Sequence, residues 1–472
     1  MAPQQKAGHM TAFVPPPNSY HAALESRPVP RMTNRQTTHQ MQERTSLSQK
    51  DLATIMKQSG CDVLIIGAGP AGLALSISLA DAGLHVAVVE RQPESVLQNP
   101  PFDGREIALT HRSVDRLQAL GALERIPEAE MSPLSEARVV NGTSPREIRF
   151  APDRRAHDSL GTLVPNHLIR KSLYESARTR PTVQILAEHT ATGIETGRES
   201  AALSLEDGTR LSGRLIVAAD TRFSETRRRM GISASMRDFG KTMLVCRMTH
   251  EKSHGNVATE WFDYGQTIAM LPLNDNASGQ HMSSLVLTMP ARQIERLLAS
   301  DEASFSAEIS ARYRCLLGSM TLSGTRHTYP LVSVYASRFV AERFALVGDA
   351  AVGMHPVTAH GLNFGLLSEQ TLSSLVAGAV RSAADIGGEP VLRRYEAQHR
   401  RATHPLYLAT NTIATLYTED RLPARLLRSA VVHAGERLAP VRQTLVATLM
   451  RDSAGRLPRS LLRSAFAPRF GA

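Results

Sequence analysis

Eleven residues, Asp62-Val-Leu-Ile-Ile-Gly67-Ala-Gly69-Pro-Ala-Gly72, leave this chain few ways to fold around them. Val63 to Ile66 is an unbroken aliphatic run, the pattern of a strand buried on both faces of a parallel sheet. Glycines at 67, 69 and 72 then allow a tight turn, a close approach of backbone to a phosphate, and close packing of the next helix on the sheet. Leu73 to Ala82 reads as that helix, stopped by Gly83, and residues 85–89 read as a second strand. Glu90 stands at the tip of this strand, followed by Arg91, where its carboxylate accepts hydrogen bonds from both hydroxyls of an adenosine ribose. Strand, helix, strand and acid within about 30 residues predict a dinucleotide site. The acid disfavours a 2′-phosphate, which leaves FAD or NAD.

At 472 residues the chain is long enough for two connected domains around large cores. Cys61, Cys246 and Cys315 lie far apart with no C-x-x-C, which argues against a disulfide framework, a zinc knuckle and a redox dithiol, and suits a reducing cytoplasm. No uninterrupted apolar run reaches the roughly 18 residues that a membrane span needs. Residues 1–56 are rich in Gln, Ser, Thr, Pro and Met and read as a disordered leader, with Met56 a candidate start. A transit peptide is the rival reading, disfavoured by Glu25, Glu43 and Asp51.

The formal charge of +10 is uneven, with fourteen arginines and no lysine against five acids between Val391 and Ala472. Interleaved aliphatics such as Leu426-Leu427 and Leu461-Leu462 make this tail an amphipathic, basic helical stretch. Docking on an anionic membrane surface or an acidic partner, and arginine on ordinary solvated helix faces, are both open readings. No nucleic-acid module accompanies the charge.

Further along, 162–180 reads as an amphipathic helix and 182–220 as short strands ending in Leu215-Ile-Val-Ala-Ala219 and Asp220. Segments 242–248, 258–262, 267–271 and 283–289 have strand character between polar turns. Phe344-Ala-Leu-Val347 delivers Gly348-Asp349 at its carboxyl end, the place where doubly wound sheets bind ligands. Asp349 there suits a ribityl hydroxyl. A helix over 361–380, beginning near Leu362, would turn the N–H groups of Gly361 to Asn363 and a positive dipole end toward the anionic edge of a reduced flavin. His250, Glu251 and His254 are the nearest approach to a metal set, but they fall in a polar loop, and no metal is expected. A substrate pocket is expected near Trp261, Met270, Leu271 and Pro272.

Three motifs together, Gly67-x-Gly69-x-x-Gly72, Asp220-Thr-Arg222-Phe-Ser224-x-Thr-Arg227 and Gly348-Asp349…Pro356…Gly361-x-Asn363, resemble the group A flavoprotein monooxygenases typified by para-hydroxybenzoate hydroxylase. Asp103-Gly-Arg105 to Val114 and Val164-Pro-Asn166-His167-x-x-Arg170-x-x-Leu173 are similar to the ubiquinone-biosynthesis hydroxylases of the UbiH, UbiF and UbiM type, and the loop Met354 to Gly361 looks closest to UbiM. The resemblance implies an α/β fold: a Rossmann-like FAD-binding domain over 60–150, 151–235 and 336–385, an inserted substrate-domain sheet over 236–335, and a basic helical C-terminal region over 386–472.

It further implies FAD in the fingerprint, with NADH or NADPH as transient reductant. The flavin C4a-hydroperoxide would hydroxylate a quinol or phenol, most closely a demethoxyubiquinol, on a cytoplasmic protein in peripheral contact with the inner membrane face and within a ubiquinone-biosynthesis complex. Glu90, Arg105, Arg170, Asp220 and Asp349 would contact FAD, and Pro356, Gly361, Leu362 and Asn363 would edge the isoalloxazine. His355, Pro356 and His360 are the catalytic candidates. Two departures stand out: Thr221 replaces the family's glycine after Asp220, and Val352 replaces a histidine that follows Gly-Asp-Ala-Ala. A prenyl reductase on the same fold and a non-catalytic quinol-binding subunit remain alternatives. A flavin halogenase is disfavoured, since its W-x-W-x-I-P segment is missing and Trp261 is the only tryptophan.

Overall fold

The computed structural model describes residues 61–143, 147–152, 158–263, 265–355 and 360–418. The expected leader, Pro356 and the basic segment 419–472 lie outside the described residues. Val63–Ile66 occupies the middle of a six-stranded sheet, between Val86–Val89 and Leu215–Ala218, all parallel. Val183–Leu186 extends the sheet beyond 86–89, and Phe344–Leu346 extends it beyond 215–218. Val340–Ala341 closes that edge as an antiparallel hairpin arm. The three inner strands are buried along their whole length, which is why their sequences run apolar instead of alternating.

Helix Pro70–Asp81 covers this sheet. Pro70 at its first turn gives up an N–H that would have no intrahelical partner, and Gly83 with φ +86° turns the chain back. Helices Asn166–Arg178 and Gly361–Arg381 pack beside it. Between the helices lies a buried ionic knot: Glu369 has no exposed side-chain surface and takes Arg116 at 2.6 Å and the Ser78 hydroxyl at 2.5 Å. Because strand 63–66 has chain neighbours on both sides, the sheet order reverses there. The ends at Ile66, Val89, Ala218 and Leu346 therefore border one crevice.

An eight-stranded sheet follows the order 352–353, 320–336, 234–250, 281–290, 266–273, 257–263, 136–141, 147–150. Its two outer strands, Glu136–Asn141 and Glu147–Phe150, lie within the span assigned from sequence to the first FAD-binding segment. Here 136–141 pairs in parallel with 257–263, a contact 121 residues distant at Arg138 and Thr259 that no local pattern reveals. Residues 161–165 also differ from expectation: Gly-Thr-Leu-Val-Pro forms a strand between 106–109 and 132–134, and the helix starts only at Asn166. Pro165 biases the preceding residue toward extended backbone, and the buried Leu163 and Val164 favour a sheet.

Helices Ala291–Ala299 and Glu302–Arg312, absent from the sequence reading, cover one face of the large sheet over Trp261, Met270, Leu285 and Leu287. The final described helix, Glu389–Thr418, belongs to the core. Leu392, Tyr395, His399 and Tyr407 are buried, and the Tyr395 hydroxyl donates to the Leu346 carbonyl at 2.6 Å. Among the described residues no helix is long and apolar enough to cross a membrane.

Candidate functional site

The crevice at the strand ends collects most of the residues singled out above. Gly67 adopts φ +109°, and a Cβ there would lie 2.6 Å from the Ala219 carbonyl oxygen. A Cβ on Gly72 would lie 2.0 Å from the Gly67 carbonyl oxygen. Both glycines are demanded by the protein's own packing. Gly69 is not: its φ is −73°, and the nearest atom to a Cβ is 4.0 Å away. The space over Gly69, at the N-terminus of helix 70–81, is thus open to an anionic ligand. Glu90 braces the loop, its two carboxylate oxygens accepting the Ala68 N–H at 2.8 Å and the Gln92 N–H at 2.9 Å. Arg91 is exposed beside it, and Arg170 reaches across from helix 166–178 to Gln92 Oε1 at 3.1 Å.

Beyond the glycine loop, Asp103 accepts Arg105 at 2.5 Å and the Asn166 amide at 2.7 Å. Burial works to raise the Asp103 carboxyl, but the adjacent Arg105 guanidinium outweighs it and holds the group below the usual range. Arg105 in turn lies 5.1 Å over the Tyr329 ring, whose hydroxyl donates to the Asp103 carbonyl at 2.8 Å. Asp349 follows Gly348, which takes φ +59° and donates its N–H to Ser368 Oγ at 2.9 Å. Arg222 grips Asp349 from the other side at 2.9 Å and also donates to the Val332 carbonyl. Arg227, almost fully buried, ties the Ala350 carbonyl to the same loop at 2.8 Å.

These groups form one electrostatic line. Arg170 feels Glu90, Asp103 and Arg105; Arg105 feels Asp349; His355 feels Arg222. Asp220 lies at the line's side, hydrogen-bonded to Ser224, with its carboxyl raised mainly by burial. Thr221 is not among the residues with positive φ, so the turn that glycine makes in the family is built here without left-handed backbone. Its hydroxyl accepts the Phe223 N–H instead.

His355 packs edge-on against Phe239 at 4.7 Å, and burial, with Arg222 assisting, pushes its ring down to about 4. It is neutral at physiological pH. His360 caps helix Gly361–Arg381 with its backbone and lies against Phe364. No described residue lies within 4 Å of where a Cβ on Gly361 would stand, and Leu362 is partly exposed. The Asn363 side chain holds the start of this helix in place. It donates to the Ala108 carbonyl at 2.9 Å and accepts the Thr110 N–H at 3.1 Å, pinning the helix start to strand Glu106–Leu109. Pro356 lies outside the described residues.

The pocket expectation needs correcting. Val245 and His327 sit against Gly104, and Tyr329 reaches Asp103, so these side chains mark the sheet face that looks toward the crevice. Trp261 and Met270 point from the opposite face, where with Tyr313 and Leu317 they line a separate cavity of about 330 Å³. Strand periodicity places Leu271 opposite to Met270. His250 and His254 are engaged in structural bonds, to Lys252 and Ser283 and to Leu273 and Asn256 respectively. No group of three metal-ligating side chains is present among the described residues.

Arg222 and Arg227 appeared in a motif without a role, since their partners at Asp349 and Ala350 are more than a hundred residues away.

The sequence matches the family described as FAD binding domain over residues 60–406. It is 43% identical to ubiquinone hydroxylase UbiM of Neisseria meningitidis, across 82% of this chain and 84% of that protein. Ubiquinone hydroxylase UbiL of Rhodospirillum rubrum is 32% identical across 84% and 90% of the two chains. Among solved structures, p-nitrophenol 4-monooxygenase PnpA of Pseudomonas putida shares the fold, with a TM-score of 0.65 and 19% identity over 82% of this chain and 98% of that one.

Proposed function

We propose, from the premise that this chain belongs to the FAD binding domain family of flavin-dependent monooxygenases, that it hydroxylates an electron-rich ring, a demethoxyubiquinol or a closely related quinol, with NADH or NADPH and oxygen. The bound flavin supplies electron transfer and oxygen activation. The protein supplies binding, orientation and a dry site. Glu90 holds the adenosine ribose, and the open backbone at Gly69 with the helix N-terminus behind it holds the pyrophosphate. Arg105 and Arg170 offset phosphate charge. Asp349, fixed by Arg222, accepts from the ribityl chain. The N–H groups of Gly361 to Asn363 face the ring edge that becomes anionic on reduction, where preorganised donors stabilise charge without reorganising. Neutral His355, with Pro356 and His360, borders the reacting ring, and Asp220 and Arg91 flank the cofactor.

The observation that carries this reading is the crevice at the parallel strand ends, where open backbone at Gly69 at a helix N-terminus, Glu90 bracing the glycine loop and Asp349 held by Arg222 come together. A lipophilic quinol is drawn from a membrane, and the arginine-rich tail offers peripheral contact with its inner face and with other enzymes of the route.

Purified protein should be yellow and should convert a short-chain demethoxyubiquinol to a product one oxygen heavier, with the label from ¹⁸O₂ retained. Deletion of the gene should accumulate a demethoxy intermediate. Colourless protein after reconstitution with FAD, or an unchanged quinone pool, would reject the proposal.

A further inference from the structure

One half-buried acid on the large sheet has no bonding partner among the described residues. Glu260 lies in a row that crosses five strands in register, from Val245 through Val286 and Ala269 to Glu260 and then Val139. Adjacent residues of a strand point to opposite faces, so this row shares one face. It is the face of Val245, which abuts Gly104, and of Tyr329, which reaches Asp103; near its other end Phe239 packs on His355. Glu260 therefore stands on the crevice side, about 14 Å along the sheet from Val245, three strand spacings away.

Its surroundings are apolar. Met243, Val245, Leu331 and Val286 form a cluster on one side, and Val139, Ile148, Phe150 and Leu160 form one on the other. Glu260 makes no hydrogen bond or ion pair with any described residue, and Arg138 on the neighbouring strand is turned to the opposite face, where it bonds Thr259. Burial alone pushes its carboxyl up to about 8. The side chain is only half-buried, so among these apolar groups its carboxyl keeps an opening through which a ligand group can reach it. A carboxylic acid in its neutral form both donates and accepts, which suits it to a ring hydroxyl as partner.

We propose that Glu260 is the residue that recognises a ring hydroxyl of the substrate, fixing which edge of the ring faces the flavin. The assignment rests on the aromatic-ring reading above and adds the group that orients the ring.

The test uses FAD-loaded protein and two probes, 2-methoxy-6-methylhydroquinone and its dimethyl ether, with binding followed by the change in flavin absorbance. E260L should weaken the hydroquinone about tenfold and leave the ether unchanged, the worth of one hydrogen bond to a desolvated group. E260Q, which keeps a donor and an acceptor, should stay within about threefold. The FAD-free E260L protein should melt no lower than wild type, because the carboxyl has no bond to a described residue to lose.

Equal binding of the hydroquinone by E260L and wild type, or equal loss of both probes, would overturn the assignment. E260A carries the same expectations, and failure of both variants to fold would show a purely structural role. A wild-type protein that hydroxylates the hydroquinone while E260L binds it normally counts against Glu260 alone. One that neither binds nor hydroxylates it overturns the ring-hydroxylase reading as well.

Discussion

Replacing Gly69 and Gly72 separately by alanine distinguishes two uses of glycine within a single turn. At Gly72 the new Cβ would meet the Gly67 carbonyl oxygen at 2.0 Å, whereas ordinary contact begins at 3.4 Å. The oxygen is backbone, so the helix must withdraw by roughly 1.4 Å, stretching the bond from Leu73 N–H to the Gly69 carbonyl, now 2.9 Å. Overpacking of this kind costs about 1–3 kcal/mol. The displaced helix end also loses its grip on the pyrophosphate, so FAD affinity falls with stability. At Gly69 the backbone is ordinary and the space empty, and alanine there should stabilise the FAD-free protein by about 0.4–1 kcal/mol through the unfolded chain.

Its methyl group nonetheless enters the space reserved for the cofactor, and FAD affinity should drop by about tenfold or more, a loss of at least about 1.4 kcal/mol. Thermal melts of FAD-stripped protein and titration of FAD by fluorescence quenching measure the two effects independently. The expected pattern is G72A unstable and weak, G69A stable and weak. G69A binding FAD as tightly as wild type, or G72A melting with wild type, would refute the division of labour.

Thiol chemistry should be confined to Cys315, which is exposed, while Cys61 and Cys246 are buried and pushed up to about 11 and about 12. Mass spectrometry after brief alkylation of native protein should find one labelled cysteine. His355 should shape the acid limb of stability. Its pKa is depressed on folding, so the contribution is present above the ordinary value of 6.5 and is lost as pH falls toward about 4. In H355Q the urea midpoint should lose that part of its pH dependence; a slope identical to wild type would contradict the buried, neutral ring.

Short-range chemistry in the sequence determined much of this protein. The run from Asp62 to Glu90 specified strand, turn, helix and strand within one contiguous stretch, because each instruction acts on neighbours through backbone freedom, burial and helix termini. Gly348-Asp349 and the helix from Gly361 were legible for the same reason. The resemblance of these motifs to a flavoprotein family extended that reading to FAD.

Tertiary structure decided the rest. Strand periodicity told that Trp261 and Glu260 oppose each other, but not which of them faces the crevice; helices 291–312 settled it by covering the Trp261 side. The pairing of 136–141 with 257–263 and the clasp of Arg222 on Asp349 join residues more than a hundred positions apart. Such contacts are selected by the packing of the whole chain, since an edge strand accepts any partner of suitable length and a carboxylate any nearby guanidinium. What the residues spell locally is the shape of each piece. Which pieces meet is fixed only when their apolar faces have found cover.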